Sequence, residues 1–125
     1  MSVPPPSQPK HSELVGFAVI YRWRLKPGSE ERFVHDWRTI TLEFLRSQGS
    51  LGSRLHLCDD GTWVAYAQWP DRKAWEDAVL PDPKCLEASQ AMKDAIEESF
   101  PALPLVPTED WWVMRPAQTK HPKRK

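Results

Sequence analysis

At 125 residues the chain has room for one domain with its own core and not for two, because a core rarely stabilises itself below roughly 70 to 80 residues. Its 17 basic and 17 acidic side chains cancel, which removes the excess field that draws proteins to nucleic acid or anionic membranes, so neither is expected as a partner. Cys58 and Cys85 stand far apart with no Cys-x-x-Cys or Cys/His spacing, against both a disulfide scaffold and a metal site, and no apolar run approaches the roughly 20 residues of a membrane helix.

In chain order, residues 1–12 carry Pro4, Pro5, Pro6 and Pro9 with almost no apolar side chain. They are expected to be a disordered tail, and this Pro-rich start in place of an export signal leads to a cytoplasmic expectation. Residues 13–115 form the expected domain. Residues 116–125 end in Lys120, His121, Lys123, Arg124 and Lys125 and read as a second, basic tail. Inside the domain, Val15, Phe17, Val19, Tyr21, Trp23 and Leu25 alternate with smaller or polar residues, the period of a strand with one apolar face. Pro27-Gly28 stops it. Ser29 suits a helix cap, Glu30 and Glu31 suit the positive first turn, and Phe33, Trp37, Ile40 and Phe44 then share one helical stripe that runs to about Gln48, before Gly49.

Two alternating runs, 52–58 and 62–69, flank Asp60-Gly61, the dipeptide of a two-residue hairpin loop. That loop places Cys58 opposite Trp63, His56 opposite Ala65 and Arg54 opposite Ala67, with Leu55, Leu57, Val64 and Tyr66 on the other face. Asp71 suits the cap of a short helix carrying Trp75, Ala78 and Val79. Pro81-Asp82-Pro83 then restarts a helix, Asp82 as cap, whose face holds Cys85, Ser89, Met92 and Ile96 until Pro101. A last strand is expected within 103–114, where Pro104 and Pro107 limit its start to an edge and Trp111 to Met114 are able to pair. The order is that of an α+β, ferredoxin-like βαββαβ domain with an antiparallel sheet whose helices cover one face. The strands are apolar on both faces, so a second copy is expected against the uncovered side, giving a homodimer.

Three runs carry a family resemblance: residues 20–28 (IYRWRLKPG), Glu31-Arg32-Phe33 with Trp37, and residues 59–70 (DDGTWVAYAQWP) with Ala74 and Trp75. Over roughly 17–79 the chain resembles the antibiotic biosynthesis monooxygenase domain. The resemblance implies a dimeric α+β barrel with a ligand cavity between each sheet and its helices. Members include oxygenases that oxidise aromatic polyketide-like substrates without metal or flavin, haem-degrading enzymes, and proteins with no assigned activity. The family's tryptophan at the end of the third strand matches Trp69. Its ligand-orienting asparagine has no counterpart, for the chain contains no asparagine. Haem degraders also use a histidine on the following helix, and 83–100 holds none, which sets haem degradation aside.

The residues themselves suggest a site. Oxygenation without a cofactor requires a substrate anion beside a dry pocket, so a neutral imidazole would suit, and His56 shares its expected face with Ala65, Ala67, Trp63 and Trp69. The candidate catalytic residues are therefore His56, Trp69 and Tyr66, and the candidate substrate contacts Trp63, Trp23, Tyr21 and Arg22. Each also fits a structural role: a satisfied strand histidine, aromatic packing, or an Arg22 ion pair across the sheet. No cofactor and no metal are expected. Two readings stay open: a cofactor-independent monooxygenase acting on an aromatic or polyketide-like small molecule, or a non-catalytic dimeric module of the same fold that binds a small ligand or only itself.

Overall fold

The computed structural model describes residues 15–80 and 82–113, so both expected tails lie outside the described residues. The first strand forms as its alternation dictates. In β1 (Phe17–Leu25) the residues Phe17, Val19, Trp23 and Leu25 are buried on the helix side. β1 is the central strand, paired antiparallel with β3 (Trp63–Trp69) from Phe17↔Trp69 to Trp23↔Trp63. The sheet order is β2-β3-β1-β4, where β2 is Ser53–Leu57 and β4 is Ile96–Ser99. Three helices, α1 (Glu30–Ser47), α2 (Arg72–Asp77) and α3 (Pro83–Ala95), complete the ferredoxin-like arrangement.

Local chemistry explains the helix starts with one exception. Asp71 accepts from Ala74 N and Asp82 from Cys85 N, both from extended backbone as a capping aspartate requires. Ser29 precedes α1, but its hydroxyl makes no cap and reaches instead the carbonyls of Lys26 (2.7 Å) and Ala95 (3.0 Å). The start of α1 is thereby tied to the end of α3.

Two expectations are corrected. The second long helix stops at Ala95 rather than running on toward Pro101, and Ile96–Ser99 turns into β4, pairing with Trp23, Arg24 and Leu25. The non-local ladder overrides a helix-like local sequence. A further short strand, β5 (Leu103–Leu105), pairs with Ala18–Ile20 of β1. It lies at an edge, where Pro104 needs no ladder N–H. Trp111, Trp112 and Val113 join no strand.

The hairpin register is the second correction. Cys58 N donates to Thr62 O (2.8 Å) and Gly61 N to Cys58 O (2.9 Å), so three residues, not two, form the loop. Gly61 has φ +87°, the left-handed position that a three-residue loop reserves for glycine. The cause is Asp60, whose carboxylate takes the backbone N–H of Thr62 (2.9 Å), its hydroxyl (2.6 Å) and Arg22 (3.0 Å). One extra loop residue inverts β2: Leu55 pairs with Ala65 and His56 with Val64.

The core on the helix side is divided. Trp23, Leu25, Phe33, Ala65 and Ala95 make one cluster; Phe17, Val19, Ala67 and Trp69 make the other. Phe33, fully buried against Trp23 and Trp63, anchors the first. Truncation to alanine there is expected to cost about 3–5 kcal/mol. Among the described residues no helix is long and apolar enough to cross a membrane.

Candidate functional site

Between the sheet and the helices the two clusters leave a cavity of about 460 Å³, within the range of small-molecule sites. β1 contributes Tyr21 and Trp23, and β3 contributes Ala67 and Trp69. α1 supplies Trp37, Ile40, Thr41 and Phe44, and α2 supplies Trp75. Met92 and Lys93 of α3 close another side, and the exposed Lys93 and Ser99 mark the mouth. Small residues opposite large aromatics account for the space: Ala67, on the same face as Trp69, fills little of its share.

The wall is apolar with few polar atoms, and two of them matter. Trp69 is 3% exposed, and its indole N–H has no acceptor among the described residues. A buried donor left unpaired is costly, so an acceptor that reached this N–H would be favoured. The second is the hydroxyl of Tyr21, which accepts the Trp75 indole N–H at 2.8 Å. Burial pushes the Tyr21 phenol above its ordinary range, outweighing the opposite pull of the Trp75 hydrogen bond. Tyr21 therefore stays protonated at neutral pH. The residues lining the cavity include no carboxylate and no imidazole.

The sequence candidates divide between two faces. Tyr21, Trp23 and Trp69 come together in the cavity wall. Trp63 shares their face but stands beside Phe33 at the outer surface of α1, in a groove with Val34, His35 and Arg38. His56 and Tyr66 lie on the opposite face of the sheet, His56 exposed, so the expected grouping of His56 with Ala65, Ala67 and Trp69 does not form. Arg22 points to that face too. It is held by Asp60, by Thr62 (3.3 Å) and over the Phe100 ring (4.6 Å), which leaves its guanidinium engaged within the chain.

Trp37 and Phe44, which share the expected stripe of α1, and Trp75, expected on the short helix after Asp71, line the cavity. Their helical spacing marked an inward face, and an inward face is all that spacing reports. Glu43, Asp82 and Cys85 bring three possible ligand atoms within 4.8 Å of one another. Each is otherwise explained: Glu43 pairs with Arg46 and Ser47, and Asp82 caps α3. Burial and the Asp82 carboxylate push the Cys85 thiol up, away from the thiolate a metal would need.

Residues 16–79 match a family profile described as antibiotic biosynthesis monooxygenase. Among solved structures the chain is similar to SnoaB of Streptomyces nogalater, a cofactor-independent oxygenase. The TM-score is 0.63 at 20% identity, over 76% of this chain and 95% of that one. Rv0793 of Mycobacterium tuberculosis gives 0.63 at 18% identity, over 77% and 98%. A conserved protein of Methanosarcina mazei Go1 gives 0.63 at 11%, over 78% and 97%. At these identities the likeness establishes a shared fold. No curated protein matches the sequence.

Proposed function

The chain belongs to the antibiotic biosynthesis monooxygenase family, and we propose that it is a cofactor-independent monooxygenase that oxidises a planar aromatic or polyketide-like small molecule. The observation that carries this reading is the unpartnered, buried indole N–H of Trp69 in the wall of an aromatic cavity. A flat ring fits between Trp23, Trp37 and Trp69, and an oxygen on that ring is a natural acceptor for the indole. The similarity to a cofactor-independent oxygenase adds support at the level of fold.

The chemistry follows from what the wall offers. An electron-rich substrate anion passes one electron to dioxygen. Recombination forms a carbon–oxygen bond, and loss of water from the peroxide turns a ring methylene and one O₂ into a carbonyl and one H₂O. With neither carboxylate nor imidazole in the wall, the proton leaves to water at the mouth. The site acts by holding the oxyanion with fixed donors, a role in which one donor is worth about 10²–10³ in rate. His56 takes no part.

The active assembly in this proposal is a homodimer, with a second copy against the sheet face opposite the helices. The open alternative, a binding module without chemistry, draws on the same lack of a base in the wall.

Oxygen uptake with a panel of anthrones and quinols separates the readings. The parent protein is expected to consume oxygen above the buffer rate, and Trp69→Phe, which keeps the ring and removes the N–H, to lower the rate by about 10²-fold. His56→Ala, on an exposed position, is expected to stay within about twofold of the parent. Binding of these compounds with no uptake by any of them would leave the module reading in its place.

A further inference from the structure

Tyr21 and Trp75 are 54 residues apart in sequence and meet in the cavity wall through one hydrogen bond of 2.8 Å. Its direction is fixed by chemistry. An indole nitrogen donates and never accepts, whereas a phenol carries one proton and two lone pairs. The Trp75 N–H occupies a lone pair of Tyr21. Turning the phenol proton toward Trp75 would set hydrogen against hydrogen, so that proton points elsewhere. Among the described residues it meets no acceptor.

Both partners are held in place. Tyr21 stacks on Trp23 with ring centroids 5.9 Å apart and planes within 6°. Trp75 packs against Phe17 at 5.5 Å, on a helix whose first turn Asp71 caps. Arg72 lies over the other partner of that contact, 4.8 Å from the Phe17 ring centroid. A phenol stacked on one side and hydrogen-bonded on the other has little freedom to reverse its polarity.

We propose that Trp75 is a positioning residue that turns the phenol proton of Tyr21 away from itself and so presents Tyr21 as a hydrogen-bond donor to the cavity's occupant. The site then selects a ring bearing an acceptor oxygen over the same ring without one. The assignment rests on the ligand-binding reading of this cavity and adds to it a second donor beside Trp69. It also explains why a tryptophan stands at a position where any large apolar residue would fill the space: phenylalanine would pack against Phe17 as well, but would leave the phenol free to turn.

The test uses two probes of nearly equal shape, 9-fluorenone, which carries a ketone, and fluorene, which does not. Dissociation constants come from quenching of tryptophan fluorescence by the full chain. The parent is expected to prefer the ketone, and Tyr21→Phe to reduce that preference by about three- to tenfold, the worth of one hydrogen bond. Trp75→Phe is expected to reduce it by a similar factor although the phenol remains. The double variant is expected to lose no more than either single one, since the two residues act as a unit. A merely structural Trp75 would weaken both probes equally, and that result, or an unchanged preference in Trp75→Phe, overturns the assignment. Failure of the parent to bind either probe would overturn the cavity reading itself. Oxygen uptake does not enter the measurement, so an inactive but ketone-selective protein would sink the monooxygenase proposal and leave this one standing.

Discussion

Arg22 reaches from the middle of the sheet to the β2–β3 turn and holds Asp60 at 3.0 Å, while Asp60 gathers the backbone N–H and the hydroxyl of Thr62. Those hydrogen bonds, led by the Thr62 hydroxyl and N–H, keep the Asp60 carboxyl far below the usual carboxylate range. A depressed folded value means that the ionised form stabilises the native state. The contribution is fully present above the unfolded value, roughly pH 4, and is lost as pH falls below it toward the folded value. Asp60→Asn is therefore expected to lower the urea midpoint at pH 7. The gap between variant and parent should narrow from about pH 4 downward. Parallel urea titrations at pH 7 and pH 3 check this, and a gap that is constant with pH would rule it out.

The same turn shows what the sequence could and could not tell. Alternation of Phe17, Val19, Tyr21 and Trp23 dictates β1 because each apolar position reports its own side of a pleat. Asp60-Gly61 reads equally well as a two-residue loop or as the end of a three-residue one. The choice is made by Thr62, two residues along, together with Arg22, a partner 38 residues away that local sequence does not connect. That single residue moves His56 to the far face. Ile96–Ser99 was hidden for a related reason, since its only strong argument for being a strand is the ladder to β1. The family-like runs led correctly to the fold, and Trp69, which they singled out, lines the cavity. The cavity's remaining wall was not legible, because empty volume is a difference between facing side chains and no periodicity encodes it.

Gly16 lies against the end of β3, its N–H shared between the carbonyls of Trp69 (3.2 Å) and Pro70 (3.1 Å). A Cβ there would stand 2.6 Å from the Pro70 carbonyl oxygen. The obstacle is backbone, so the strand end that carries Trp69 must shift. Gly16→Ala is expected to cost about 1–3 kcal/mol, as overpacking usually does, and to weaken probe binding as Trp69 moves. An unchanged urea midpoint would show that the chain yields without cost.

Ala67 faces the cavity from β3 and is buried. In a filled core, added methylenes force neighbours off their rotamers. Here the space already exists, so Ala67→Leu should change stability by less than about 1 kcal/mol. Its isobutyl group would occupy the volume a ligand needs, and 9-fluorenone affinity is expected to fall more than about tenfold, the equivalent of 1.4 kcal/mol of binding free energy. Stability and affinity measured on the same preparation separate this outcome from simple unfolding. Unchanged affinity would place the bound ring outside the cavity.

The sheet face away from the helices bears on assembly. Of its cations, Arg22 and Arg24 face Asp60 (3.0 Å) and Glu98 (3.8 Å) of their own chain, while Arg54, opposite Tyr66, is exposed on the same face. Tyr66 carries the ring of Trp112 at 6.5 Å, nearly parallel. Trp111, Trp112 and Val113 are nonetheless 84%, 62% and 76% exposed. Consecutive large apolar side chains left in water beside this sheet face suit a surface that another copy covers. Sedimentation of the full chain at micromolar concentration is expected to give a dimer mass. Trp112→Glu, which would bury an unpaired carboxylate in the interface, is expected to weaken the dimer at least about tenfold, in keeping with the cost of desolvating a charge without a partner. A monomer at every concentration would refute the homodimer. A dimer indifferent to Trp112→Glu would move the contact to another face.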